Sequence, residues 1–146
     1  LKEELKPFAL KVKVQYDMPL VKIDFGLMEQ VLYNLLINST QYAPPTSEIT
    51  LSVGYTDGIM KMEVTDNGPG FPENELKNVF KKFFRVDESK TGGLGLGLSI
   101  AKGFVEAHGG TIDIENRQPG GARFSINIPT EIPDIKNLQE QDDEGE

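Results

Sequence analysis

The sequence predicts an α/β two-layer sandwich, in which about three helices lie on one face of a mostly antiparallel, mixed sheet. Apolar residues recur at helical spacing in residues 25–42 and 97–107, and shorter segments alternate apolar and polar residues with the period of a strand. The pair Asp57-Gly58 separates two of these alternating segments and is a strong hairpin signal. At 146 residues, the chain is long enough for one domain with a two-layer core.

Five segments are predicted to be strands. The first, residues 11–17, is expected to be half-buried because its two faces differ in polarity. Asp66 follows the apolar positions of the third strand at the period of two, so its carboxylate is expected to face the covered side of the sheet. Gly120-Gly121 joins the last two strands. The apolar residues that define the strands are Val12, Val14 and Tyr16; Ile49, Leu51, Val53 and Tyr55; Met60, Met62 and Val64; Ile112 and Ile114 in residues 111–116; and Phe124, Ile126 and Ile128 in residues 122–128.

The first long helix is predicted over residues 25–42, with Asp24 as its N-cap and Pro44-Pro45 as its stop. An amphipathic helix of this kind buries its apolar stripe against a neighbouring layer. The stripe comprises Leu27, Met28, Val31, Leu32, Leu35 and Leu36.

Two further helices are predicted in the second half of the chain. Pro72 suits the first turn of a short helix. Residues 81–95 have no regular pattern and are predicted to form a mobile loop. The second long helix, residues 97–107, is expected to end at Gly109-Gly110, because glycine favours the left-handed conformation that closes a helix.

The net charge of −8 is concentrated at the C-terminal end. Residues 131–146 contain seven acidic residues and one basic residue, which leaves −2 for residues 1–130. This end segment lacks a periodic apolar face and is predicted to be an acidic disordered tail. The sequence has no basic stripe for a nucleic acid, no apolar run of transmembrane length, and no cysteine for a disulfide or a thiolate metal site.

A polar stripe accompanies the apolar stripe of the first long helix. Gln30, Asn34, Asn38 and Gln41 follow one another at positions i, i+4, i+8 and i+11. Such a stripe is most often the solvated edge of a helix. The alternative is that Asn34 and Asn38 offer neutral amide oxygens to Mg²⁺, which prefers oxygen ligands and usually takes several of them from phosphates and water.

Asp66 begins the sequence Asp66-Asn-Gly-Pro-Gly70, which allows two interpretations. In the first, its side chain caps a turn before Asn67-Gly68. In the second, a carboxylate in a cleft accepts a hydrogen bond from the exocyclic amine of adenine. Gly68 and Gly70 would then let the backbone lie close to the base.

The sequence Gly92-Gly-Leu-Gly-Leu-Gly-Leu-Ser-Ile100 leads into the second long helix. Gly93, Gly95 and Gly97 lack the preceding strand and the Gly-x-x-Gly end of a dinucleotide site, and no Gly-Lys-Ser/Thr of a P-loop is present. The remaining interpretation is a backbone nest that binds phosphate at the start of a helix.

The loop before the glycine run combines basic and aromatic residues. Its basic side chains are ordinary surface charge in most cases, and Arg85 and Lys90 are the two favoured for a contact with the γ-phosphate. Three phenylalanines are too apolar for a free loop and are expected to hold it against the body of the domain or a partner domain. The two sets are Lys81, Lys82, Arg85 and Lys90, and Phe80, Phe83 and Phe84.

Four stretches in this order resemble the N, G1, F and G2 boxes of sensor histidine kinases. They are Asn34-Leu-Leu-Ile-Asn38, Asp66-Asn-Gly-Pro-Gly70, Phe80-Lys-Lys-Phe-Phe-Arg85 and Gly93-Leu-Gly-Leu-Gly97. The resemblance covers about residues 10–130 and extends to the gyrase, heat-shock-90, histidine-kinase and mismatch-repair group. It implies the Bergerat ATP-binding fold with a flexible ATP lid. Residues 106–110 and 116–124 are also similar to potassium-responsive sensor kinases.

The resemblance implies a role for individual residues in binding ATP and Mg²⁺. Asn38 would bind Mg²⁺ with help from Asn34, and Asp66 would hold the adenine amine. Gln41 and Lys81-Lys82 depart from the residues common in the family. The remaining ATP-binding positions implied are Tyr42 near the adenine, Gly68, Gly70, and the lid residues Gly93, Leu94, Gly95, Leu96 and Gly97.

The resemblance is compatible with three functions of this fold. Clamp ATPases place a glutamate one helical turn before the magnesium asparagine, as the base that activates water. This position is Asn34, whose amide cannot accept a proton, so phosphoryl transfer by a histidine kinase is preferred to hydrolysis by a clamp. The F box disfavours the third function, a serine-kinase anti-sigma factor.

The resemblance also implies what surrounds this domain. Residues 1–9 are expected to be a linker or the end of an upstream helical dimerisation domain that bears the acceptor histidine. Residues 10–130 form the ATP-binding domain, and 131–146 the tail. His108 is predicted to cap a helix and not to accept phosphate. The isolated chain is expected to be a monomer unable to phosphorylate itself, and its parent a homodimer attached to the inner membrane that passes phosphate to a response regulator.

Overall fold

The computed structural model describes residues 9–17, 24–42, 44, 47–81, 97–118 and 120–130, without the side chains of residues 25 and 39–42. The elements follow one another as the sequence predicts, with a 3₁₀ helix in place of the short helix. In chain order they are β1 (Ala9–Val14), α1 (Phe25–Tyr42), β2 (Glu48–Thr56), β3 (Ile59–Asp66), a 3₁₀ helix (Glu73–Asn78), α2 (Gly97–Ala107), β4 (Thr111–Asn116) and β5 (Ala122–Pro129).

The sheet has five strands in the order β1-β2-β3-β5-β4. β1 is parallel to β2, and the other three pairs are antiparallel, which confirms the predicted mixed sheet. The β2–β3 hairpin turns at Asp57 and Gly58, whose φ angles of 53° and 82° are those of a type I′ turn. β3 therefore lies in the middle of the sheet, with its last residue, Asp66, opposite Ile49 of β2.

The prediction for β1 is wrong in its bounds and in its burial. The strand occupies 9–14 instead of 11–17, and Tyr16 lies in the turn after it. Val12 and Val14 are each 58% exposed although they share a face with buried Ile49. Alternating polarity shows that a strand has two different faces. It does not show how far the helical layer extends, and β1 pairs only with β2 at the edge of the sheet.

The two long helices begin and end at the predicted signals. The Asp24 carboxylate accepts a hydrogen bond from the Leu27 amide at 3.1 Å, which makes it the N-cap of α1. α2 ends in a Schellman motif, in which Gly109 has a φ of 74° and the Gly110 amide donates to the Val105 carbonyl at 3.0 Å. Neither helix is long and apolar enough to cross a membrane, and the same holds for the other helical residues that are described.

The core lies between the helices and the inner face of β3, β4 and β5. Inward and outward residues alternate along β3, where Met60 and Met62 are buried and Lys61 is exposed. This burial is the main force that holds the two layers together. The buried apolar residues are Met28, Val31, Leu35, Leu36, Ile49, Met60, Met62, Val64, Phe71, Val79, Leu98, Ala101, Val105, Ile112, Ala122, Phe124, Ile126 and Ile128.

Candidate functional site

Polar side chains are rare in the interior, and two of them belong to the predicted site. Within the described residues, the buried polar side chains are Asn38, Ser47 and Asp66, with exposures of 9%, 6% and 7%. The Ser47 hydroxyl donates to the carbonyl of Pro44 and so has a structural role in the turn before β2. Asn38 and Asp66 take no part in this turn, so their burial needs a separate explanation.

Asp66 closes a turn and keeps one carboxylate oxygen available. Its Oδ1 accepts hydrogen bonds from the amides of Gly68 at 3.0 Å and Ala122 at 3.3 Å. The first of these bonds is the Asx turn that the sequence predicts as one of two interpretations. Among the described residues, Oδ2 accepts no hydrogen bond, so the turn does not exclude a ligand at the second oxygen.

The environment of Asp66 opposes its charge. Burial raises the pKa of the Asp66 carboxyl above its usual value, while the hydrogen bonds from Gly68 and Ala122 and the positive charge of Arg117 act in the opposite direction. The net effect is a raised pKa. A carboxylate that costs free energy to bury is more often found at a functional site than in an ordinary core.

Gly70 and Gly121 are required by close packing around Asp66. A Cβ at Gly121 would lie 1.9 Å from the Asp66 carbonyl oxygen, and Gly121 has a φ of 104°. A Cβ at Gly70 would lie 2.6 Å from Oδ1 of Asn116, and Gly70 has a φ of 76°. In the described residues, these glycines therefore serve the contact between the 66–71 segment and the turn from β4 to β5.

Asn34 joins the two long helices. Its side-chain nitrogen donates to the Gly97 carbonyl at 3.1 Å, and its Oδ1 accepts from the Gln30 side chain at 3.1 Å. Gly97 is the first residue of α2 and the last glycine of the run in the sequence. The polar stripe is therefore not only a solvated edge, because one of its members binds the start of α2.

Asn38 continues the buried face of α1. It lies at i+7 from Val31 and i+3 from Leu35, both of which are fully buried. Among the described residues its side chain makes no hydrogen bond, and it is slightly accessible to solvent. An amide oxygen in this situation suits a hard cation better than that of Asn34, which already accepts a hydrogen bond.

Asn67, the residue after Asp66, ties the end of β3 to the start of β2. Its Oδ1 accepts a hydrogen bond from the Glu48 amide at 2.8 Å. β2 starts shortly after α1 ends at Tyr42, and Asn38 lies one turn before that end. Asn67 thus ties the start of β2 to the end of β3, and Asn34 ties the start of α2 to the middle of α1.

Several predicted residues lie outside the described part of the chain. The backbone of Tyr42 belongs to α1, but its side chain is outside the description. Gly97 is the described residue of the predicted lid. The remaining predicted residues outside the described part are Arg85, Lys90, Gly93, Leu94, Gly95 and Leu96, together with Phe83, Phe84 and the acidic residues 131–146.

Phe80 is attached to the core, as predicted. Its ring packs edge-on against Phe124 with the centroids 6.2 Å apart, and the Lys102 ammonium lies 5.6 Å from the centroid of Phe80. Both contacts stabilise the position of an aromatic ring near the surface. The start of the F-box stretch is therefore fixed to β5 and α2.

His108 caps a helix. Its Nδ1 lies 2.8 Å from the Phe104 carbonyl oxygen, four residues earlier in the chain, and a carbonyl can only accept, so this nitrogen carries the hydrogen. The predicted capping role is confirmed. The contact occupies the ring nitrogen that faces the helix.

The sequence does not indicate that the turn from β4 to β5 packs against Asp66. Arg117 donates from Nη1 to the Asp66 carbonyl at 2.9 Å, and Asn116 exchanges two hydrogen bonds with the main chain of Phe71, at 2.9 and 2.7 Å. Gly120-Gly121 and the amide side chain of Asn116 are a signal in the sequence of close backbone packing. No residue pattern indicates that the partner is the segment that begins at Asp66.

Comparison with known proteins identifies the family. The profile of the family described as "Histidine kinase-, DNA gyrase B-, and HSP90-like ATPase" matches residues 24–132. The sensor protein KdpD of Clostridium acetobutylicum is 40% identical over 131 residues, which are 87% of this chain and 14% of that protein. This similarity is consistent with the finer resemblance to potassium-responsive sensor kinases.

Solved structures confirm the fold. The mycobacterial sensor histidine kinase MprB superposes with a TM-score of 0.78 at 26% identity, over 90% of each chain. The histidine kinase ThkA, in complex with the response regulator protein TrrA, gives a TM-score of 0.73 at 26% identity, over 89% of this chain and 37% of that one. The present chain spans about one seventh of the length of the KdpD sensor proteins that it matches. It belongs to the family of histidine kinase-, DNA gyrase B- and HSP90-like ATPases.

Proposed function

We propose that this chain binds MgATP and donates the γ-phosphoryl group to a histidine on a separate dimerisation domain, as part of two-component signalling. The observation that carries the choice of reaction is the state of Asn34. Its amide is bound to Gln30 and to the Gly97 carbonyl, so the position offers no base to activate water.

The adenine base is assigned to Asp66. The exocyclic amine of adenine is a donor, and Oδ2 is the carboxylate oxygen that no described residue occupies. Guanine presents a carbonyl at the same position and would be repelled by the carboxylate. Burial increases the strength of this discrimination, because the alternative partner, water, is largely excluded.

The phosphates are assigned to the space between α1 and the start of α2. The N-terminus of α2 begins at Gly97, and the free N–H groups of a helix N-terminus attract anions. Asn38 would offer its amide oxygen to Mg²⁺, and Mg²⁺ would neutralise charge on the phosphates. Asn34 would act mainly by holding α1 against α2. Tyr42, Arg85, Lys90 and residues 93–96 remain predicted contacts.

The absence of a base at Asn34 supports transfer over hydrolysis. A clamp ATPase needs a carboxylate to orient and activate water, and an amide cannot replace it. The γ-phosphoryl group is then kept for another acceptor. His108 caps α2 through its Nδ1, and the acceptor is expected to be a histidine on another domain.

The surroundings of the domain are proposed by analogy with its relatives. The relatives are sensor kinases, and ThkA is seen with a response regulator. We expect the present domain to lie on the cytoplasmic side of the inner membrane in a homodimeric parent, with residues 10–130 as the catalytic unit. A response regulator would receive the phosphoryl group from the histidine.

Radiolabelled ATP tests the proposed reaction. The chain alone should bind MgATP, hydrolyse it slowly and acquire no label, whereas addition of the parent's dimerisation domain should give an acid-labile label on that domain. His108→Gln serves as the matched control and should transfer at the same rate. Rapid release of inorganic phosphate without a labelled acceptor would favour the clamp, and label on the isolated chain would contradict the proposal.

A further inference from the structure

We propose that Arg117, in the turn between β4 and β5, is a positioning residue that fixes the Asp66 carboxylate for recognition of the adenine amine. The inference rests on the proposed function, because it concerns the base-binding end of that site. Arg117 itself touches no assigned part of the nucleotide and acts through Asp66.

Asp66 is fixed from the side of this turn. The Nη1 of Arg117 donates to the Asp66 carbonyl at 2.9 Å, and the Ala122 amide donates to its Oδ1 at 3.3 Å. The Arg117 amide donates to the Gly121 carbonyl at 2.8 Å, so the turn that carries Arg117 is itself closed. The residues on either side of this turn, Arg117 and Ala122, therefore hold both the main chain and the side chain of Asp66.

The turn between β4 and β5 lies very close to the segment that begins at Asp66. Gly121 approaches Asp66 so closely that a Cβ there would overlap the Asp66 carbonyl oxygen, at 1.9 Å. Asn116 adds a two-point contact with the main chain of Phe71, and its side-chain nitrogen also reaches Glu73 at 3.0 Å. The whole 66–73 segment is thus held against the end of β4.

Arg117 also acts on Asp66 through its charge. Among the described groups, Arg117 is the cation that acts on the Asp66 carboxyl, and it favours the ionised form against the effect of burial. In an ionised carboxylate neither oxygen carries a hydrogen, so Oδ2 can accept a hydrogen bond from the adenine amine while Oδ1 accepts from Gly68 and Ala122. Arg117 therefore favours both the orientation and the charge state that the proposed contact needs.

The test compares two nucleotides that differ at the recognised position. ATP carries the exocyclic amine, and inosine triphosphate carries a carbonyl in its place. Affinities of the full chain for both are measured by calorimetry in the presence of Mg²⁺. Wild type should prefer ATP. Arg117→Met should lose about tenfold in ATP affinity, the usual effect of losing a hydrogen bond from a charged donor, with little change for inosine triphosphate.

Arg123→Met is the matched control. Arg123 lies on the same hairpin and donates to the exposed Glu115 carboxylate at 2.8 Å, on the outer face of the sheet. Its replacement removes a charge and an ion pair but no contact with Asp66. The ratio of ATP to inosine triphosphate affinity should stay at the wild-type value in this variant.

A pH series separates positioning from a loss of folded protein. The ATP affinity of wild type should fall as pH falls through the Asp66 pKa, and in Arg117→Met this fall should begin at higher pH because a favourable positive charge is gone. Should Arg117→Met not fold, Arg117→Gln takes its place. Gln keeps a donor without the charge and should show the same upward shift with a smaller loss of affinity.

The outcomes distinguish the two proposals. Wild type that binds no ATP would overturn the proposed function and the inference with it. Wild type that prefers ATP, with an unchanged nucleotide ratio and pH dependence in the folded Arg117 variants, would overturn the inference alone. A collapsed ratio in Arg117→Met together with an unchanged ratio in Arg123→Met would support it.

Discussion

The side chain of Asn34 donates a hydrogen bond to the main-chain carbonyl of Gly97 at 3.1 Å, across 63 residues of sequence. The contact joins the middle of α1 to the first residue of α2, where the glycine run of the sequence ends. An amide that closes such a junction is both a structural group and, by its chemistry, a poor base. This relationship connects the fold to the choice between phosphoryl transfer and hydrolysis.

Replacing Asn34 by Asp should weaken this junction. Aspartate has the same size but no N–H, so a carboxylate would face the Gly97 carbonyl and the hydrogen bond would be lost. We expect a destabilisation of about 1 kcal/mol in the free energy of unfolding, measured in urea at neutral pH. Gln30→Ala removes only the bond within α1 to Asn34 and should cost about 0.2–0.5 kcal/mol. Equal effects in the two variants would contradict the importance of the α1–α2 contact.

Replacing Gly121 by Ala should be strongly destabilising. The added Cβ would overlap the Asp66 carbonyl, and the φ of 104° is unfavourable for alanine. The expected loss is at least about 2 kcal/mol, read as a lower midpoint of denaturation. Gly103→Ala is the control, because nothing lies within 4 Å of a Cβ at this exposed position of α2, and it should stabilise by about 0.5–1 kcal/mol. A mild effect at Gly121 would show that the turn from β4 to β5 can easily move away from the segment that begins at Asp66.

The Asp66→Asn variant should become more stable relative to wild type as pH rises. The folded state raises the pKa of Asp66, so it holds the proton more tightly than the unfolded state does. Between the ordinary aspartate value of about 3.9 and the raised value, unfolding releases a proton, and wild-type stability therefore falls with rising pH. Asparagine does not titrate, and its oxygen can accept the same amide bonds.

Denaturant unfolding of both proteins from pH 3 to pH 7 measures this difference. The same Asp66→Asn variant should lose ATP affinity, since its amide no longer offers two acceptor oxygens, and Asp66→Ala should abolish binding with the fold intact. If Asp66→Asn instead became less stable relative to wild type as pH rises, the result would contradict a raised pKa for the buried carboxyl.

Replacing Asn38 by Ala should remove the magnesium dependence of nucleotide binding. Wild type should bind ATP more tightly as Mg²⁺ is added, and the variant should bind equally at every magnesium concentration. Calorimetric titrations over a series of magnesium concentrations give the comparison. Glu29→Gln, at an exposed position of the same helix, should keep the wild-type dependence. An unaltered dependence in Asn38→Ala would exclude this amide as the ligand.

Most of the fold could be predicted because its local signals agree with its tertiary structure. Asp24 begins α1, Asp57-Gly58 turns the hairpin and Gly109 ends α2, each by a mechanism that acts within a few residues. β1 could not be predicted correctly, because its exposure depends on its place at the sheet edge. Strand order is a property of the whole chain.

The candidate site could be predicted in part for the same reason. Asn34, Asn38 and Asp66 are indicated by their residue types and by the face on which they lie. Arg117 and Asn116 are not, because each acts through a contact with residues about 45 to 51 positions away in the sequence. The sequence suggested that Gly70 allows close approach of a nucleotide base. In the structure, Gly70 is required because the Asn116 side chain lies against it.

A crystal structure of the chain with Mg²⁺ and a non-hydrolysable ATP analogue is the most direct test of the central claim. It should show the adenine amine at the free oxygen of Asp66, the magnesium ion at Asn38 and the phosphates beside the first turn of α2. A nucleotide bound elsewhere, or one whose base does not contact Asp66, would contradict the account.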